Sequence, residues 1–168
     1  MCLNNKRTNK GFTLLELMAV TMIISIGLVG VMNLINQISL NSRLTRSKLT
    51  AAYLAQEGIE VVRNIRDTNW VENASQWDND ISEGTFGLDY LTQALPTSGD
   101  PRCGYGNNFL KFDGDFFSCN GITATKFKRT VNIQKSGNEY ISVLVKVTWQ
   151  ELQQNYEIRA LEKLYRWR

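Results

Sequence analysis

A chain of 168 residues has room for one domain and a long appended element, but not for two full domains. At 43% hydrophobic and 21% charged it has the balance of a folded protein, which excludes disorder. The net charge of +3 sits in the first residues: Lys6, Arg7 and Lys10 are the only charged side chains before Gly11, and the remainder is balanced at 16 basic and 16 acidic groups. Bulk charge therefore gives a nucleic-acid role no support, although a local patch such as Lys126, Lys128 and Arg129 stays open. Histidine is absent, which removes the commonest general base and metal ligand.

Behind the basic leader, residues 12–35 read FTLLELMAVTMIISIGLVGVMNLI. As a helix this run is roughly 36 Å long at about 1.5 Å per residue, enough to cross a hydrocarbon core of about 30 Å. It is longer than the core of a secretory signal peptide, and no A-x-A cleavage pattern follows it. Lys6, Arg7 and Lys10 on one side are matched in number by Arg43, Arg46 and Lys48 on the other. The leader charges lie closer to the span and emerge first, which favours a cytoplasmic N-terminus and an external C-terminus. Gly27 and Gly30 interrupt the second half of the run, either as a packing face or as a place where the helix loosens.

One charge lies inside the run, Glu16. An ionised carboxylate near the end of a membrane helix costs on the order of 2–3 kcal/mol unless it is paired, or unless its head reaches the interface. A cut between Gly11 and Phe12 would create an α-amino group four residues before Glu16 on the same helical face, and the helix N-terminus also favours negative charge.

Lys10-Gly11-Phe12-Thr13-Leu14-Leu15-Glu16-Leu17, behind a basic leader and ahead of a long apolar run, resembles the class III signal of type IV prepilins and pseudopilins. The resemblance implies cleavage after Gly11 by a membrane prepilin peptidase and N-methylation of Phe12. It also implies pairing of Glu16 with the amino terminus of a neighbouring subunit during assembly. The implied partners are the peptidase, other pilin or pseudopilin subunits, an inner-membrane assembly platform, and lipid before assembly.

Beyond Ile35 the pattern becomes amphipathic. Ala51, Ala55, Ile59 and Val62 recur at helical spacing beside Leu54, Gly58, Val61 and Ile65, which predicts one helix from about Thr13 to Arg66, its half over 36–66 facing a sheet. Residues 67–125 hold clustered turn signals, beginning with Asp67-Thr68-Asn69, and predict a loop-rich connection with a short helix around Leu88–Ala94 and anchoring by Trp70 and Trp77. Asp113-Gly114-Asp115 resembles part of a calcium loop but lacks the other ligands and the closing glutamate, and no metal or other cofactor is expected. Cys103 and Cys119 would pair if this half lies outside the cytoplasm; two unpaired thiols is the alternative.

Residues 126–168 alternate as strands. Phe127, Arg129, Val131 and Ile133 form one row, Lys135-Ser136-Gly137-Asn138 a turn, Tyr140–Trp149 a second strand, Gln153-Gln154-Asn155 a turn, and Tyr156–Tyr165 a third strand. The expected fold is α+β and pilin-like: residues 1–11 a cleaved leader, one long N-terminal helix whose first half is transmembrane, and a small antiparallel β-sheet beneath its second half.

The disulfide candidates precede the meander and no proline follows the apolar run, which favours a minor pilin or pseudopilin over a major subunit. Ala55-Gln56-Glu57-Gly58-Ile59-Glu60 with Val147-Thr148-Trp149 resembles minor pilins of the PilV sort and I-type pseudopilins of type II secretion. The expected function is structural, in a bacterial inner membrane and then a pilus or pseudopilus. The alternative is a membrane-anchored module for DNA uptake or surface adhesion using residues 67–121. No enzyme is expected, since no Ser/His/Asp set, activated cysteine or phosphate loop is present.

Overall fold

A computed structural model describes residues 11–72, 77–95, 103 and 109–166. The basic leader up to Lys10 and parts of the connecting region lie outside the described residues. The chain has an α+β, pilin-like architecture: one helix, α1 (Leu14–Glu72), followed by a six-stranded antiparallel sheet. It divides into two units, one ending at Arg43 and one running Leu44–Arg168.

In the first unit every described residue is exposed, apolar ones included, among them Leu17, Ile23, Leu28 and Met32. A helix that is apolar on all sides is not built for water.

In the second unit α1 changes character. Ala51, Leu54, Ala55, Gly58, Ile59, Val62 and Ile65 are buried, the stripe expected from their spacing, and Val61 is half-buried. They pack on one face of β4 (Thr123–Ser136), β5 (Tyr140–Glu151) and β6 (Gln154–Tyr165). Ile141, Val143, Val145, Val147 and Trp149 all bury on that face, while Ser142, Leu144, Lys146 and Thr148 share the other, as strand alternation requires. The β4–β5 turn uses Gly137 at a φ of 56°, a conformation that favours glycine.

The expected turn at Gln153-Gln154-Asn155 lies one residue earlier. Leu152 and Gln153, at φ 51° and 62°, form the two-residue connection, and Gln154 already pairs with Glu151. Two left-handed residues match the twist of the flanking strands even without the usual Asn-Gly pair.

The connecting region differs most from expectation. Helix α1 continues through Asp67-Thr68-Asn69 to Glu72, because Asn69 is buried and its side-chain amide donates to the carbonyls of Trp77 (3.3 Å) and Asn79. Local turn preference yields there to tertiary contact. Trp77 is buried and its Nε1 donates to Asn138 Oδ1 at 3.1 Å, tying the connection to the β4–β5 turn; Trp70 packs half-buried against the core.

Three short strands, β1 (Gly84–Phe86), β2 (Phe109–Phe112) and β3 (Phe117–Ser118), extend the sheet in the order β3-β2-β4-β5-β6, with β1 also on β4. The helix expected around Leu88–Ala94 is absent. Asp89 Oδ1 accepts the Leu91 N–H (3.0 Å) and Thr92 Oγ1 accepts the Asp89 N–H (3.0 Å), so side chains take the bonds a helix would need.

Asp113-Gly114-Asp115 is likewise a turn. Asp113 Oδ1 accepts the N–H groups of Phe116 (2.8 Å) and Asp115 (3.1 Å), and those bonds hold its carboxyl below the usual carboxylate range.

Cys103 and Cys119 are joined by a disulfide, with Cα atoms 5.0 Å apart across a separation of 16 residues. Asp89 Oδ2 accepts the Cys119 N–H at 3.3 Å, so the bridge is bonded to the turn. In the chain-entropy account, opening a loop of this length costs about 3 kcal/mol. Replacing both cysteines with serine should lower the unfolding free energy by that amount, read as a fall in the denaturant midpoint at unchanged slope; an unchanged midpoint would mean that the bridge does not form.

One buried group fastens helix, sheet and connection together. Arg129 on β4 is 1% exposed. Its guanidinium donates to Leu54 O of α1 (3.0 Å), to Leu88 O of the connection (2.8 Å) and to Glu57 Oε1 (3.3 Å). Burial pushes its pKa down, and the Glu57 carboxylate opposes that shift. At the near end of the sheet Lys126 donates to Ser47 Oγ (2.7 Å) and lies 3.1 Å from Glu151. Lys126, Lys128 and Arg129 are therefore not one basic patch: Arg129 is interior and Lys126 is engaged.

Candidate functional site

Of the residues expected to form a processing and assembly site, Gly11 and Phe12 lie just before α1 and Glu16 lies in its first turn. Thr13 caps the helix. Its carbonyl accepts the N–H of Leu17 at 3.2 Å, and its hydroxyl accepts the N–H of Glu16 at 3.2 Å. This is the cap half of a Thr-x-x-Glu capping box, a signal legible in the sequence. Glu16 thereby falls in the first helical turn, where unpaired N–H groups and the macrodipole favour a negative charge.

The helix is expected from about Thr13, with the amine freed at Phe12 on the helical face of Glu16. Phe12 lies just ahead of the helix, because Thr13 takes the half-in capping position. Helical spacing therefore does not by itself bring the Phe12 nitrogen to the Glu16 carboxylate within one chain. A carboxylate exposed on the first turn is open to an amine from elsewhere.

The Gly11–Phe12 peptide bond precedes the helix, with Phe12 82% exposed and open space around Gly11. Exposed, non-helical backbone of this kind is what a protease can take up. Downstream, α1 is long and apolar enough to cross a membrane by length and composition, and its apolar window is unburied. Thr21 and Ser25 do not interrupt it, because their hydroxyls donate to the Met18 carbonyl (3.0 Å) and the Thr21 carbonyl (2.7 Å) of the preceding turn.

Residues 6–32 match the model of the prokaryotic N-terminal methylation motif. The chain carries a type IV prepilin-like, class III signal. The match spans the basic leader, the Gly11–Phe12 bond, Glu16 and most of the apolar run. It ends at Met32, before the folded unit begins. No curated protein and no solved structure matches the chain. A prepilin-type signal implies processing by a prepilin peptidase and assembly with other pilins, and together with the apolar helix it fits membrane anchoring.

Proposed function

We propose that the chain is a minor pilin or pseudopilin, a structural subunit of a type IV pilus or a type II secretion pseudopilus. It is held in the bacterial inner membrane by the first half of α1, with its N-terminus cytoplasmic and its folded unit outside. It is cut after Gly11, methylated on Phe12, and then assembled through α1. The observation that carries this reading is the coincidence of the methylation-motif match at residues 6–32 with an exposed, wholly apolar helix that starts just after the Gly11–Phe12 bond.

Assembly would move that helix from lipid into a bundle of like helices, with Glu16 meeting the Phe12 amine of a neighbour as they pack. In the uncut chain that nitrogen is a neutral amide, so processing creates the charge that offsets the carboxylate. The disulfide lies before β4–β6 rather than enclosing them, which supports a minor over a major subunit.

Mass spectrometry of the protein produced with a prepilin peptidase is expected to find Phe12 as the N-terminus, with one added methyl group; an intact Met1 in a functional host would overturn the reading. Glu16→Ala is expected to be cut normally and to drop out of sheared filaments by at least tenfold. Normal incorporation would remove the pairing role while leaving the processing site standing.

A further inference from the structure

The face of β4–β6 turned away from α1 carries a charge pattern that filament assembly through α1 does not use. Cross-strand register places Lys128, Thr148 and Glu157 in one row, Thr130, Lys146 and Arg159 in the next, Asn132, Leu144 and Leu161 in a third, and Gln134, Ser142 and Lys163 in a fourth. Four cations thus share this face with one carboxylate, Glu157, which pairs with Arg159 at 2.5 Å. Among the described residues no carboxylate pairs with Lys128, Lys146 or Lys163. Lys146 and Arg159 stand directly opposite each other, a like-charge juxtaposition that costs stability in an antiparallel pair.

Since the chain beyond the leader is balanced overall, this excess is a segregation of charge onto one surface. Aromatic rings flank it. Phe109 is 50% exposed at one corner, with Lys128 Nζ 4.4 Å from its ring centre. Tyr165 is 56% exposed at the other, packed at 5.5 Å on Tyr140, whose ring lies 4.6 Å from Lys163 Nζ. Beside Phe109 a groove of about 510 Å³ is lined by Lys128, Thr148, Gln150, Asn155 and Glu157, giving amide and hydroxyl groups next to the ring.

We propose that this sheet face binds a single-stranded nucleic acid, with Lys128, Lys146, Arg159 and Lys163 against its phosphates and the rings of Phe109 and Tyr165 as stacking surfaces for its bases. Charge complementarity selects a polyanion, and an anion laid along the face relieves the Lys146–Arg159 repulsion. The exposed rings favour bases over an acidic polysaccharide, since every base presents a π-face. A sheet face without a helix or ribbon to enter a groove suits a single strand over a duplex.

The test uses the full-length chain in a nonionic detergent with fluorescently labelled oligothymidylate, read by anisotropy between 50 and 200 mM salt. Wild type and variants share the same basic leader, so its contribution cancels. The triple variant Lys128→Gln/Lys146→Gln/Lys163→Gln should bind about 10- to 100-fold more weakly and lose about 2 from the slope of log K against log salt, the share of three phosphate contacts on a single strand. Phe109→Ala should weaken binding roughly tenfold with little change in slope. Thr130→Lys, which adds a cation to the same face, should tighten it.

Absence of binding by the wild-type chain at 50 mM salt overturns the proposal. So does equal binding by the triple variant and wild type, or equally tight binding of polygalacturonate, which would mark a general polyanion surface. Neither processing nor filament assembly enters this measurement, so its failure leaves the filament reading standing.

Discussion

Arg129→Ala is expected to destabilise the folded unit by about 3–4 kcal/mol, toward the lower end of the range for removing one partner of a buried ion pair. The lower end applies because Glu57 is about one-third exposed and can be rehydrated when its partner leaves. Leu54 O loses little, since it also accepts a bond within the helix. The main losses are Leu88 O, left without its donor beside a fully buried side chain, and the cavity left by the removed stem. Asp89, itself buried and drawn electrostatically to Arg129, loses a neighbouring cation.

The measurement is the denaturant midpoint of the full chain in nonionic detergent, followed by tryptophan fluorescence. Arg129→Met, which keeps most of the volume, should recover about half the loss by packing alone. A shift below about 1 kcal/mol for alanine would mean that the guanidinium does not fasten the connection to the helix.

Gly58→Leu is expected to cost about 3 kcal/mol or more, and Gly58→Ala about 1–2 kcal/mol, despite alanine's advantage of about 1 kcal/mol within a helix. The competing effects can be weighed. A Cβ on Gly58 would meet Val145 Cγ1 at 2.9 Å and Arg129 Cδ at 3.3 Å. Val145 is fully buried in the centre of β5, paired on both sides, and cannot retreat without shifting two strands. Overpacking at such a place costs more than propensity returns.

Gly27→Ala and Gly30→Ala give the contrast. An added methyl at either position meets nothing within 4 Å, so both should leave folding unchanged or slightly improved. Lost filament incorporation by either variant, with folding intact, would mark a packing face and not a weak point in the helix. If Gly58→Ala proves stabilising, the close approach of α1 to β5 is looser than the distances require.

Gly58 and Glu57 belong to the Ala55-Gln56-Glu57-Gly58-Ile59-Glu60 stretch, and the structure gives the stretch a physical use. The glycine admits the sheet to the helix backbone. The glutamate one position earlier meets the arginine lodged there. Neither role is visible from the stretch alone, because both depend on a β4 residue more than seventy positions away.

What the sequence by itself determined is what periodicity and local chemistry carry. The apolar run followed by the amphipathic stripe dictates α1, since spacing along a helix decides which residues share a face. Alternation dictates the buried row from Ile141 to Trp149. The leader, Gly11, Phe12 and Glu16 lie in one short stretch and so are readable as a motif. The Thr13 cap is equally local, since Thr-x-x-Glu lies within four residues.

Tertiary structure alone decided where distant segments compete with local preference. Asn69 remains helical because its side chain finds the carbonyls of Trp77 and Asn79, and residues 88–94 are not helical because Asp89, Thr92 and Arg129 take their backbone groups. Strands β1 and β2 exist because β4 offers them an edge. The basic surface follows the same rule. Lys128 and Arg129 are neighbours in sequence but point to opposite sides of a strand, so no patch forms from them. Lys128, Lys146, Arg159 and Lys163 are scattered in sequence, and strand register sets them on one face, because pairing in a sheet is a long-range choice that no local window contains.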